Sequence, residues 1–250
     1  MASTCDDCVR GVLHEGEPQG SFETVGGIKT YVSKPSGDFD KTKAVVYLGD
    51  IFGYYTNSKL ICDSFAANLG VAVYFPDYLN DDPVPIDAMN KGTFDMDSWR
   101  PRHGAQQTRA SLDPVLAQLK SSGVTRIAAA GYCFGGKYTM DLAIEGLIAT
   151  GMFAHPAGIK VPEDLDALLE KGAASILVNA CEIDHTWPKE SQDKAEAVLG
   201  DGKYAPGFKQ NYYPGCRHGF ASRGDITDPK VKFGKEDSFV ETVKWFKKYL

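Results

Sequence analysis

The sequence predicts an α/β fold: one domain over residues 1–250, with a mostly parallel central sheet and helices on both faces. Short β-branched runs alternate with segments of helical periodicity along nearly the whole chain, the pattern of a doubly wound sheet. The runs are apolar almost without interruption, as strands covered on both faces are. A chain of 250 residues is also long enough for one well-buried core.

An antiparallel start is expected near Phe22 and over 28–32. Further strands are expected at 44–48, 71–75, 127–130, 149–153, 175–180 and 209–212. A helix is expected at 58–68, where Leu60, Ile61, Phe65 and Leu69 follow helical spacing, and another at 107–121, with Leu112, Val115, Leu116 and Leu119. Others are expected at 137–145, 163–170, 190–199 and 235–249, the last carrying Phe239, Val243, Phe246 and Leu250 as one stripe. Residues 76–101 break the alternation. They are rich in Asp, Pro and Asn, and a connection of this length in a compact domain is often a lid or a substrate-binding segment.

Composition narrows the function classes. The apolar fraction of 43% and aromatic fraction of 11% are those of a globular protein. A net charge of −6 disfavours nucleic acid as a partner. No apolar run approaches the roughly 18 residues of a membrane span. The N-terminal segment lacks an apolar signal region, so a cytoplasmic location is expected. In that compartment Cys5, Cys8, Cys62, Cys133, Cys181 and Cys216 read as free thiols. Cys5-x-x-Cys8 is either half a zinc site or a surface turn; no second pair follows at finger spacing, so no metal is expected.

The chemistry centres on Gly131-Tyr132-Cys133-Phe134-Gly135-Gly136, which follows an expected strand and opens an expected helix. Glycines on both sides let a tight turn form and thrust the cysteine above the sheet, the nucleophile elbow of the α/β-hydrolase fold. The Phe134 N–H then points where an oxyanion would form, and the helix N-terminus favours thiolate. A phosphate cradle fits less well, because the Gly-Lys-Ser/Thr ending and a third dinucleotide-type glycine are both missing.

A thiol needs a base, and the base needs an orienting acid. In this fold they follow in the order nucleophile, acid, histidine. Asp184 lies just after the strand expected at 175–180, and His218 just after that expected at 209–212. His185 is the rival base and Glu182 the rival acid. His155, ending another strand, is read either as pocket lining or as packing.

Together these motifs resemble the dienelactone hydrolase family, through Gly131 to Gly136, Asp184, and His218-Gly219-Phe220 with Arg223. The opening segment from Cys8 to Val32 resembles its eukaryotic, especially fungal, branch. The resemblance implies a lactone, ester or thioester hydrolase with no cofactor, a cysteinyl acyl-enzyme and a small-molecule substrate, working as a monomer or homodimer. It also implies a carboxylate at Asp50 that helps activate the thiol, Asp50 as a turn former being the other reading. The Ile51 N–H would be the second oxyanion donor. Arg223 matches one of two arginines that hold a substrate carboxylate in bacterial members. Where the other is expected, this chain reads Tyr78-Leu79-Asn80-Asp81-Asp82, so an anionic dienelactone is expected to lose half its clamp and meet like charge. Tyr54, Tyr55, His155 and Trp187 are candidates for a more aromatic substrate pocket. Two other classes stay open: a thiol redox protein pairing Cys133 with Cys181 or Cys216, and a small-molecule binder on a hydrolase fold.

Overall fold

The computed structural model describes residues 11–250, and Cys5 and Cys8 lie outside them. Eight strands form one sheet: β1 (Ser21–Val25), β2 (Ile28–Ser33), β3 (Lys43–Leu48), β4 (Ala72–Pro76), β5 (Arg126–Tyr132), β6 (Thr150–Ala154), β7 (Ser175–Ile183) and β8 (Phe208–Arg217). Their order is β1-β2-β4-β3-β5-β6-β7-β8, antiparallel at β1/β2/β4 and parallel elsewhere. Gly26 and Gly27, both at positive φ, close the β1–β2 hairpin. The helices are α1 (Thr56–Leu69), α2 (Ile86–Asn90), α3 (Met96–Trp99), α4 (Ala105–Ser121), α5 (Gly135–Ile144), α6 (Glu163–Lys171), α7 (Lys189–Leu199), α8 (Phe220–Arg223) and α9 (Pro229–Tyr249).

Layering follows from topology. The crossover β3-α1-β4 moves along the sheet in one direction, and β5-α5-β6-α6-β7-α7-β8 moves in the other. Right-handed crossovers running in opposite directions put their helices on opposite faces. Thus α1 lies on one face, where α9 joins it, and α5, α6 and α7 pack in succession on the other. The central strands are sealed: Val45, Val46, Ala128, Ala129, Ala130, Leu177 and Val178 are all 0% exposed. The direction of winding changes between β3 and β5, and loops leaving a sheet at such a switch point diverge into a crevice.

Every expected strand is present, with β7 and β8 running further than their apolar cores suggest. Helix α9 starts six residues before the expected 235. Its start is set by Asp228, whose carboxylate accepts the Lys230 N–H, followed by Pro229 at the first helical position. The segment after β4 is not a bare loop. It holds α2, α3 and a 3₁₀ turn (Arg100–His103), and Trp99 within it is 2% exposed.

One close contact places the elbow. A Cβ on Gly135 would run into the Leu48 carbonyl at the end of β3, and one on Gly131 would lie 2.6 Å from the Gly135 carbonyl oxygen. Gly135→Ala is therefore expected to cost about 2 kcal/mol, lowering the melting temperature by about 4–8 °C for a domain of this size. An unchanged melting temperature would mean that α5 does not depend on this approach.

Candidate active site

Cys133 follows β5 directly and has φ 52, a left-handed value unusual for a residue with a Cβ. Three backbone bonds hold it there. Its N–H donates to Ala154 O at 3.2 Å, and its carbonyl accepts from Gly136 N and Ala157 N at 2.9 Å each. The side chain is 7% exposed and opens into a cavity of about 710 Å³. Phe134 and Ile51 line the same cavity, and neither backbone N–H donates to a protein acceptor among the described residues.

Asp184 and His218 come together from neighbouring strands. Strand β7 carries a register shift between Cys181 and Ile183, and β8 ends at Arg217 opposite Ile183. The His218 N–H then donates to Ile183 O at 2.9 Å, which sets the imidazole over the acid. His218 Nδ1 lies 3.0 Å from both oxygens of Asp184. The carboxylate also accepts from Thr186 N (2.9 Å), Trp187 N (3.1 Å) and the Thr186 hydroxyl (2.7 Å). Burial opposes its charge, but these donors and His218 win and hold Asp184 well below the usual carboxylate range. Burial likewise opposes the imidazolium of His218, yet hydrogen bonds to Asp184 and Cys133 outweigh it and push the ring up to about 9.

The rivals fall elsewhere. Glu182 is exposed and accepts the Gly215 N–H. His185 is exposed at the rim, its ring 5.9 Å from that of His218. Among the described residues Cys62, Cys133, Cys181 and Cys216 are free thiols. Cys181 is turned to Asp184 Oδ2 (3.6 Å) and Cys216 to Lys230 O (3.6 Å).

Asp50 is 0% exposed and does not line the cavity. Its carboxylate accepts from Phe52 N (3.1 Å), the Tyr55 hydroxyl (3.0 Å) and Arg223 Nε (3.2 Å). Burial raises its pKa, with Arg223 opposing. Arg223, steadied by Asp50 and lying 4.8 Å over the Phe52 ring, does line the cavity. Four residues expected in the substrate wall lie outside it, Tyr55 among them with its hydroxyl on Asp50. Tyr54 packs on Phe22 and Phe75, its hydroxyl 3.0 Å from Lys29 O and Phe75 O. Trp187 is 1% exposed, its indole N–H 3.4 Å from Gln210 Oε1. His155 is 0% exposed and edge-on to His218 at 5.0 Å.

The charge expectation also changes. Asp81 pairs with Lys29 (3.1 Å), and Asp82 with Arg102 and His103 (2.9 Å each). The cavity wall contains Arg100, Lys137 and Arg223 and no carboxylate. The like charge expected from Asp81 and Asp82 is thus paired outside the cavity, while 78–82 supplies no second arginine. Thr186 and Arg100 were missed in the sequence. Thr186 carried a weak signal, standing two residues after Asp184 where a hydroxyl closes a local turn; Arg100 carried none, because only the fold of 76–103 brings it to the cavity.

These observations meet independent likenesses. The model of the dienelactone hydrolase family matches residues 28–250. The chain is 38% identical to the hydrolase pyvD of Aspergillus violaceofuscus, covering 97% of this chain and 96% of that one. It is 27% identical to dienlactone hydrolase 1 of Gibberella moniliformis, covering 95% and 91%. Among solved structures, a dienelactone hydrolase-like promiscuous phosphotriesterase from metagenomic libraries shares the fold with TM-score 0.63 at 18% identity, covering 92% of this chain and 97% of that one.

Because the folded pKa of His218, about 9, exceeds its ordinary 6.5, its contribution to stability is complete below about pH 6.5 and is lost as pH rises through about 9. The melting temperature of the wild type should therefore fall across that window, and His218→Gln should flatten the fall. Equal slopes in both proteins would contradict the Asp184–His218 pairing. This chain, with an α/β-hydrolase sheet and a family match running from β2 to its last residue, belongs to the dienelactone hydrolase family.

Proposed function

We propose that the protein hydrolyses a lactone, carboxylic ester or thioester through Cys133, His218 and Asp184, with a cysteinyl acyl-enzyme intermediate. The carrying observation is that His218, 3.0 Å from Asp184, and Cys133 line the same cavity. Asp184 accepts from Nδ1, so Nε2 is the nitrogen left to serve the thiol. The Cys133 sulfur attacks the carbonyl carbon with its proton already resting on His218, the ring that Asp184 makes more basic. The Phe134 and Ile51 N–H groups receive the oxyanion. Collapse expels the alkoxide, or the thiolate of a thioester, which takes the proton from His218. Water then loses a proton to His218 and attacks the thioester, releasing the acid and restoring the thiolate. With a lactone, the departing hydroxyl stays tethered to the acyl group.

On this reading Asp50 is a positioning residue, holding Arg223 at the cavity wall. Arg223, Arg100 and Lys137 reach the wall while paired with Asp50, Asp97 and Asp141/Asp164, so they offer hydrogen-bond donors to substrate oxygens rather than a free positive patch. The intact arrangement of thiol, base and acid favours hydrolysis over ligand storage, which needs no such sequence of proton partners.

The test is hydrolysis of p-nitrophenyl acetate and small lactones. Cys133→Ala and His218→Ala should each lower kcat about 10³-fold or more. A Cys133→Ala variant with wild-type rate would overturn the mechanism. Between pH 5 and 9 the rate should change as His218, raised to about 9, titrates; a flat profile would contradict its part in the reaction.

A further inference from the structure

The segment between β4 and α4 gives the cavity a rigid aromatic wall. Trp99 and His103 are stacked, with ring centroids 3.9 Å apart and planes 17° apart. They are 2% and 4% exposed. Asp82 fixes both: its carbonyl accepts the Trp99 indole N–H at 2.8 Å, and its carboxylate lies 2.9 Å from His103 Nε2. Phe134 meets Trp99 edge-on at 5.9 Å and lies nearly parallel to Tyr78 at 5.8 Å. Phe134 immediately follows Cys133, so the aromatic surface runs from the residue beside the thiol to the stacked pair. Met89 and Met96 add soft, polarisable thioethers to the same cavity. At about 710 Å³ the space is of the size that takes drug-sized ligands, far more than one small lactone ring.

A wall already stacked and hydrogen-bonded loses little freedom when a ligand docks on it, so its surface energy goes into affinity. Flat π-systems use such a surface best, because an aromatic pair adds roughly two- to tenfold in affinity beyond area burial. We infer that the substrate carries a planar aromatic ring fused or attached to its reacting ester or lactone, and that Phe134, held in place by the buried Trp99–His103 pair behind it, forms the platform that receives it. This inference rests on the reading of Cys133 as the nucleophile of an ester or lactone hydrolase. It names the class of substrate; it does not alter the chemistry at the thiol.

The first experiment compares kcat/KM for dihydrocoumarin and δ-valerolactone, which share a six-membered lactone ring with and without a fused benzene. Trp99→Leu should lower the value for dihydrocoumarin about tenfold more than that for δ-valerolactone, mostly through KM. Equal losses on the two would overturn the platform. Since Trp99 also anchors its segment, a second measurement uses the unaltered protein. Calorimetric titration with 2-naphthol and decahydro-2-naphthol compares a flat skeleton with the same skeleton puckered. The flat ligand should bind about fivefold more tightly, and equal or reversed affinities would overturn the platform. If the wild type cleaves no lactone and no nitrophenyl ester, the hydrolase reading fails, while the naphthol ratio still decides whether the wall selects planar rings.

Discussion

Cys133 is held in a backbone conformation that costs a residue with a side chain about 1 kcal/mol or more, and the site depends on that turn. The strain persists because its surroundings leave no alternative. The chain must leave β5, turn within three residues and start α5, and Gly135 must pass against the Leu48 carbonyl. The carbonyl of Cys133 is fixed by Gly136 and Ala157, and its N–H by Ala154. The thiol is thereby aimed into the cavity, and the Phe134 N–H comes beside it without any further device. Because β3 adjoins β5, the loop carrying Asp50 and Ile51 rises next to the same turn. The fold supplies the local geometry as a consequence of strand order.

The second constraint is the pairing of β7 with β8. A register shift near Cys181 and a long β8 bring Ile183 opposite Arg217, so the residues after them, Asp184 and His218, meet side by side. Hydrogen bonds and charge from His218 and the two Thr186 donors outweigh burial of the carboxylate, to which Trp187 N and the Cys181 thiol also donate. The same hydrogen bond that keeps Asp184 ionised makes His218 more basic. The two shifts are one interaction seen from its two ends. His155 packs edge-on behind that pair, buried with no protein partner for either ring nitrogen among the described residues.

Much of this was legible in the sequence because it is local. Apolar runs marked the strands, glycines marked the turn at Cys133, and chain order pointed to two residues that do pair, Asp184 and His218. What was not legible depends on how distant segments fold against each other. Asp81 and Asp82 looked like charges near the cavity, yet Lys29, Arg102 and His103 neutralise them. Tyr54 and Trp187 lie close in sequence to site residues, but the turns that carry them bury their rings in packing layers instead. Trp99 and Arg100, from a segment without periodicity, furnish the wall instead. Helix α9 was legible at its C-terminal stripe and missed at its start, where the signal is the cap Asp228-Pro229.

The central claim is that the Cys133 sulfur carries the acyl group. Intact-protein mass spectrometry after brief exposure to p-nitrophenyl esters tests it most directly, with wild type and Cys133→Ala side by side. The account predicts a transient mass increase equal to the acyl group in the wild type, located on the peptide containing Cys133, and none in the variant. The same adduct in both proteins, or nitrophenol release at equal rates from both, would contradict it.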